Sequence, residues 1–401
     1  MADNNPKNLQ SLLQSTIDPE LIVENYIVKD LLPVGENYGS NIVDICAKII
    51  SKGKNEKLHL VGKLPPLTQV QRDMFDTPFT FRKEIFMYSK LLPFYRQLEI
   101  DSGISEEEAL NISPKFYGAR MSLNNGDEFD DDAAILLENL KPKGYYCVDR
   151  KIGCDLAHAK CALKALARFH ALGMAAREKN PEFFKIIKEN AACWEFKNPD
   201  QWIPVIEARM NDIMEDLEIK EYLEACANLL QKGTIDTWLA PPPEPWSTII
   251  HADFWANNML YHCETNNEPD DIKFIDFQNY VFLSPIRELT FFLTTGLDPK
   301  AIEHIDELID FYYNNIIERL KILKCNTTPY TRESFDERLR EDAKIEFSHG
   351  LTIIKVITLD VNPDNPDSRN VKSLMESAES NDNYRLKLRN FVKAYAKQGW
   401  L

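Results

Sequence analysis

The segment Ile249-Ile250-His251-Ala252-Asp253-Phe254-Trp255-Ala256-Asn257-Asn258, followed by Phe274-Ile275-Asp276-Phe277-Gln278, constrains this chain more than any other feature. Two short apolar runs, each read as a strand, end in polar residues, with a polar loop between them. Two strand ends joined by such a loop can aim Asp253, Asn258 and Asp276 at one point. Phosphoryl transfer needs these side chains together. One carboxylate orients the attacking hydroxyl and accepts its proton, while an amide and a second carboxylate hold the magnesium that neutralises the phosphates. Asp253 is the candidate base, and Asn258 and Asp276 are the candidate metal ligands. His-x-Asp alone is also a common buried structural pair. The Asp-x4-Asn spacing and the second strand running into Asp276 are what carry the chemistry.

Such a site also needs a phosphate cover, a lysine and a partner for that lysine. Gly35-Glu36-Asn37-Tyr38-Gly39-Ser40 offers two glycines and exposed backbone N–H groups of the kind that bind phosphate oxygens. Gly35, Asn37, Tyr38, Gly39 and Ser40 are its candidate contacts, although an ordinary turn would look the same. Lys63 ends a β-rich run before Pro65-Pro66, and Glu84 sits mid-helix among apolar neighbours, placed to pair with it. Each is unremarkable alone; their order along the chain is informative. No G-x-x-x-x-G-K-[ST] occurs, which argues against a P-loop enzyme. Trp255 stands where the catalytic loop of protein kinases has lysine, and no A-P-E follows Asp276, so a protein kinase is excluded.

The remainder divides by texture. Residues 8–31 read as helical, with Leu9, Leu12, Leu13, Leu21 and Ile22 at helix-like spacing. Asn41–Ile50 and Leu58–Leu64 read as strands around the turn Ser51–Asn55, and Phe79–Leu92 as a helix. Residues 115–123 and 133–140 read as strands flanking an acidic loop. Beyond Gly144 the pattern is mainly helical, near 154–178, 199–232, 299–324 and 330–358, interrupted by the two short strands Thr248–Ile250 and Ile272–Ile275. Trp194, Trp202, Trp238, Trp246 and Trp255 line an apolar pocket in one reading and fill the core in the more usual one.

With 47 basic and 63 acidic residues in 401, the net charge of −16 repels phosphate backbones and anionic lipid, so neither nucleic acid nor membrane is an expected partner. The N-terminus lacks the apolar core of a signal peptide, and the eight cysteines form no C-x-x-C pair. A cytoplasmic monomer with reduced thiols is expected.

These motifs, together with Val61-Gly62-Lys63-Leu64-Pro65, Phe81–Tyr88 before Leu92-Pro93, and Leu136-Leu137-Glu138-Asn139-Leu140, resemble the ecdysteroid kinase-like family, related to choline kinases and aminoglycoside phosphotransferases, over roughly residues 20–360. The resemblance implies an α+β, protein-kinase-like fold of two lobes. Residues 1–138 would form a small β-rich lobe with the N-terminal helix, antiparallel sheet, glycine loop and Lys/Glu helix. Residues 139–401 would form a larger helical lobe with the catalytic loop and metal site, and a nucleotide cleft would lie between the two. It implies ATP- and magnesium-dependent phosphorylation of a small-molecule alcohol, an ecdysteroid first and a xenobiotic next. It further implies that Glu138 to Leu140 is a hinge whose backbone holds adenine. A choline- or ethanolamine-type kinase and a catalytically silent binding protein are the alternatives. Three residues depart from the family pattern: Ala252 stands where glycine is common, Gly39 where alanine is frequent, and Glu288 where aspartate is frequent. His170, in Ala167-Arg168-Phe169-His170-Ala171, reads as a packing residue.

Overall fold

A computed structural model of the chain describes residues 5–32, 39–124, 128–193, 203–264, 268–360 and 381–401. The chain divides into two units. One is built from the residues up to Phe94 and from Ser113–Tyr145; the other contains Tyr95–Ile112, Tyr146–Asp360 and the C-terminal helix.

The first unit holds α1 (Leu9–Gln14), β1 (Ile22–Asp30), β2 (Asn41–Ser51), β3 (Lys54–Leu64), α2 (Gln69–Met74), α3 (Thr77–Phe86), β4 (Phe116–Arg120) and β5 (Ala134–Glu138). The strands form one antiparallel sheet in the order β1-β2-β3-β5-β4. Lys52 and Gly53, both at positive φ, make the tight turn that joins β2 to β3 in the hairpin expected at that point. Leu9, Leu12 and Leu13 of α1 pack with Val43, Ile45 and Leu60 of the sheet as the core of this unit.

Helix over residues 8–31 holds only for Leu9–Gln14; Ile22–Asp30 is a strand. Among the described residues it is an edge strand paired only with β2, and its register shifts between Val23 and Asn25. Neither face is fully buried, so the alternation that marks a half-buried strand never develops. Its β-branched residues, Ile22, Val23, Ile27 and Val28, are the surviving signal.

The second unit follows a short helix, α4 (Leu92–Asp101), within which the division between the units falls. It is mainly helical: α5 (Leu156–Lys179), α6 (Pro181–Asn190), α7 (Ile203–Glu215), α8 (Leu223–Lys232), α9 (Ile235–Leu239), α10 (Pro285–Thr295), α11 (Ile305–Ile322), α12 (Arg332–Thr358) and α13 (Asp382–Lys397). Side-chain caps fix the starts of several of them: Asp155 on α5, Ser284 on α10, Thr331 on α12 and Asn381 on α13 each accept a backbone N–H of the first turn.

Four short strands, β6 (Thr248–Ile250), β7 (Met259–His262), β8 (Asp271–Phe274) and β9 (Val281–Leu283), lie among these helices. The two strands read from the sequence do not pair with each other. β6 pairs with β9, and β8 with β7. Helix α5 approaches β6 closely at Gly173, where any Cβ would collide with Thr248 Oγ1 and the Tyr95 hydroxyl. Thr248 Oγ1 donates to His170 O across the same contact. No described helix is long and apolar enough to cross a membrane.

Candidate active site

The loop between β6 and β7 is held by bonds that its own sequence supplies. His251, fully buried, donates Nε2–H to Ile275 O at 2.9 Å and so ties the start of the loop to the strand end before Asp276. Burial keeps its imidazole below the usual range and therefore neutral, against the pull of Glu288 and Asp276. Asn258 Nδ2 donates both to Asp253 O (2.9 Å) and to Asp253 Oδ2 (3.0 Å), while Ile275 N donates to Asn258 O at 3.1 Å. Asp276 takes left-handed backbone, φ 62°, and its Oδ2 accepts from Gln278 Nε2 at 3.3 Å.

Asn258 is thus bonded both to Asp253 and, through its carbonyl, to Ile275, the residue before Asp276. The Asn258 amide directs its N–H groups at Asp253, which leaves its oxygen as the atom able to serve a metal. That oxygen and the Asp276 carboxylate are ligands of the hard type that magnesium takes, so the residues fit the group.

Two departures from the family pattern meet directly. Glu288, on α10, accepts Ala252 N on Oε1 at 2.6 Å, and on Oε2 it accepts His251 N (3.0 Å) and His170 Nε2 (2.8 Å). His170 is in turn bonded through Nδ1 to the Tyr312 hydroxyl at 2.7 Å. Burial raises the Glu288 carboxyl, but the hydrogen bond and charge of His170, with the backbone N–H of His251, outweigh it and hold it below the ordinary glutamate range. His170 is the packing residue expected, and it also anchors Glu288.

Ala252 itself sits at φ 63°, left-handed backbone that suits glycine and strains alanine. The Ala252→Gly variant is expected to gain about 1 kcal/mol or less, because relief of strain is partly offset by the freedom glycine adds to the unfolded chain. Thermal denaturation would show this as a small rise in Tm; a fall would mean that the methyl packs favourably.

In the first unit, Lys63 Nζ and Glu84 Oε2 form a buried ion pair at 2.5 Å, joining the end of β3 to α3. Glu138 ends β5 opposite Leu60, and its carboxylate meets Lys143 at 2.6 Å. Asn139 N donates to His59 O at 2.9 Å, Asn139 Nδ2 donates to Asp44 Oδ1 at 2.9 Å, and Leu140 is buried. These bonds fix the segment proposed as a hinge. Gly35, Asn37 and Tyr38 lie outside the described residues. Gly39 and Ser40 are described and buried, directly before β2.

Of the tryptophans, Trp246 is core, packed edge-on to Tyr330 and Phe335. Trp194 and Trp202 lie outside the described residues. Sequence reasoning missed how Glu288 holds the loop from α10, to which only its departure from the family pattern pointed, and it missed His349; Trp238, named as a pocket candidate, packs with Ala252 against Ile250.

A family profile, the ecdysteroid kinase-like family, matches residues 34–325. A search of curated proteins found no match. Among solved structures, the chain is similar to a microcompartment-associated aminopropanol kinase (12% identity, 94% of each chain, TM-score 0.48). It is similar to an aminoglycoside 2′-phosphotransferase in its GDP complex (12% identity, 99% of this chain and 100% of that one, TM-score 0.47). It is also similar to the Plasmodium vivax ethanolamine kinase (13% identity, 93% of this chain and 83% of that one, TM-score 0.39). At these scores the likenesses add nothing to the architecture described above.

Proposed function

The chain belongs to the ecdysteroid kinase-like family, and we propose that it is an ATP- and magnesium-dependent kinase of an ecdysteroid or a similarly lipophilic alcohol, xenobiotics included. The coarser part needs no proposal: the family makes it a small-molecule phosphotransferase with a hydroxyl acceptor, and its β-rich first unit and helical second unit have the protein-kinase-like fold.

In this reading Asp253 orients the acceptor hydroxyl and takes its proton as the hydroxyl oxygen bonds to the γ-phosphorus and the bond from that phosphorus to the bridging oxygen breaks, releasing ADP. Asn258 Oδ1 and the Asp276 carboxylate hold the cation. Magnesium, when bound, neutralises charge on the phosphates. Lys63, fixed by Glu84, contacts a nucleotide phosphate, and the loop with Gly35, Asn37, Tyr38, Gly39 and Ser40 covers the phosphates. The backbone from Glu138 to Leu140 takes adenine. The protein would act as a cytoplasmic monomer, with a small alcohol as its partner and neither nucleic acid nor membrane. The observation that carries the reading is the pair of hydrogen bonds from Asn258 Nδ2 to Asp253, which orients the carboxylate and leaves the amide oxygen for a metal.

The test is mass spectrometry of ecdysteroids, amino alcohols and plant phenolics incubated with the protein, ATP and magnesium. A phosphoryl mass gain on the ecdysteroids or another lipophilic alcohol, lost on adding a chelator or omitting ATP, is the expected result. A gain confined to amino alcohols would reassign the substrate, and no gain on any compound would overturn the proposal.

A further inference from the structure

A group of rings near Asp253 has no part in the chemistry above. His349, on α12, stacks nearly flat on Phe291 (centroids 4.7 Å apart, planes 14° apart) and meets Trp238 edge-on at 5.7 Å. His349 Nδ1 is bonded to Glu346 Oε1 at 2.5 Å, and Glu346 Oε2 accepts the Trp238 indole N–H at 2.8 Å. One carboxylate, only 2% exposed, therefore locks both rings. Yet 33% of the His349 side-chain surface remains open, and its Nε2 makes no hydrogen bond among the described residues.

The same elements that hold the catalytic loop hold these rings. Helix α10 carries Glu288, which binds the loop, and Phe291 one turn later. Arg287 on that helix donates to the Trp238 carbonyl and is itself fixed by Asp342. Trp238 and Ala252, the residue before Asp253, pack against the same cluster of Ile250, Val281 and Leu283.

We propose that Trp238, Phe291 and His349 form the acceptor subsite, in which His349 Nε2 holds an oxygen of a flat, neutral, apolar alcohol whose reacting hydroxyl lies at Asp253. This rests on the kinase reading of Asp253. The partly exposed Trp238 and His349 supply surface of fixed orientation, which costs little ordering on binding, and the buried Phe291 backs the imidazole. The imidazole also covers Glu346, so the site offers an N–H donor where a cationic amino alcohol would need a bare carboxylate.

Burial lowers the His349 pKa, but Glu346 on its own helix, Asp253 on the loop and Glu288 on α10 outweigh it, and the net shift is upward. Trp238 and Phe291 face it with rings and no charge. The Nε2–H form is therefore present below the raised pKa and lost as pH climbs through it, so the acceptor KM should rise on the alkaline side.

Steady-state kinetics with ecdysone and choline as acceptors tests this. The wild type should prefer ecdysone. His349→Ala should raise the ecdysone KM about tenfold, the value of one hydrogen bond to a charged donor, with kcat and the ATP KM unchanged. His349→Gln, which keeps an N–H donor, should recover part of that loss. Glu346→Gln should move the alkaline rise in KM to lower pH, because the main charge sustaining the imidazolium is gone. Calorimetry of ecdysone binding to the Asp253→Asn protein, with and without His349→Ala, should show the same factor without turnover.

An ecdysone KM unchanged in a folded His349→Ala protein, or a preference for choline, overturns the subsite and leaves the kinase standing. If the wild type neither phosphorylates nor binds either probe, the kinase reading falls and the subsite with it.

Discussion

Asp253→Asn is expected to cut turnover by roughly 10^2–10^4-fold, the range for loss of a positioned general base, while nucleotide affinity and Tm stay at wild-type values. The substitution is nearly isosteric, and an asparagine oxygen at this position can still accept the bond from Asn258 Nδ2 that Asp253 Oδ2 accepts at 3.0 Å. The second bond from the same amide goes to the backbone carbonyl of residue 253 and is unaffected. The loop should therefore keep its shape and lose only the group that takes the acceptor proton. Three measurements on one preparation separate the outcomes: kcat by product formation, nucleotide Kd by calorimetry in the presence of magnesium, and Tm. Turnover within tenfold of wild type would remove Asp253 from the chemistry. A fall in kcat matched by a fall in nucleotide affinity would mean that the loop has collapsed, and that the aspartate is structural.

What could be read from the sequence follows from how local each contact is. Asp253, Asn258 and Asp276 lie close in sequence between β6 and the end of β8, and the bonds from Asn258 to Asp253 and to Ile275 stay inside that stretch. Their grouping is therefore visible as spacing. Lys63 and Glu84 belong to successive elements, β3 and α3, so their order along the chain was enough to suggest the ion pair. Glu288 is a different case. Every residue of α10 is buried, its polar ones included, so no exposed face shows where its one carboxylate points. Trp238, Glu346 and His349 meet only because α9 and α12 pack beside α10, and no local pattern records that. The strand β1 was misread for the opposite reason, since it buries too little on either face to alternate. Hydrophobic periodicity thus reports half-buried elements well and is silent about a strand that buries little on either face.

Glu288→Ala is expected to destabilise the protein by about 3–5 kcal/mol, the cost of removing one partner of a buried charged network, and to lower kcat at least about 10^2-fold through misplacement of Asp253. Three donors lose their acceptor at once: the backbone N–H groups of His251 and Ala252, and His170 Nε2. A carboxyl held below its ordinary range stabilises the fold fully above the unfolded-state pKa, and that contribution is lost as pH falls through the lower folded value. Glu288→Gln should accordingly be the weaker protein at neutral pH and show less of the acid-side decline.

The shorter Glu288→Asp tests the geometry more finely, because it matches the residue frequent in the family while Ala252 does not. An aspartate on α10 reaches less far toward the loop, and the Ala252 N–H, held at 2.6 Å, should be the first bond to lengthen. Adding Ala252→Gly removes the methyl and frees the backbone to move toward the carboxylate, so the pair should recover activity that Glu288→Asp loses alone. A double-mutant cycle in kcat and in Tm would register this as a coupling of about 0.5–3 kcal/mol, as expected for residues in contact. Strict additivity would show that Ala252 and Glu288 depart from the family pattern independently, and a Glu288→Ala protein with wild-type turnover would show that the loop holds its shape without them.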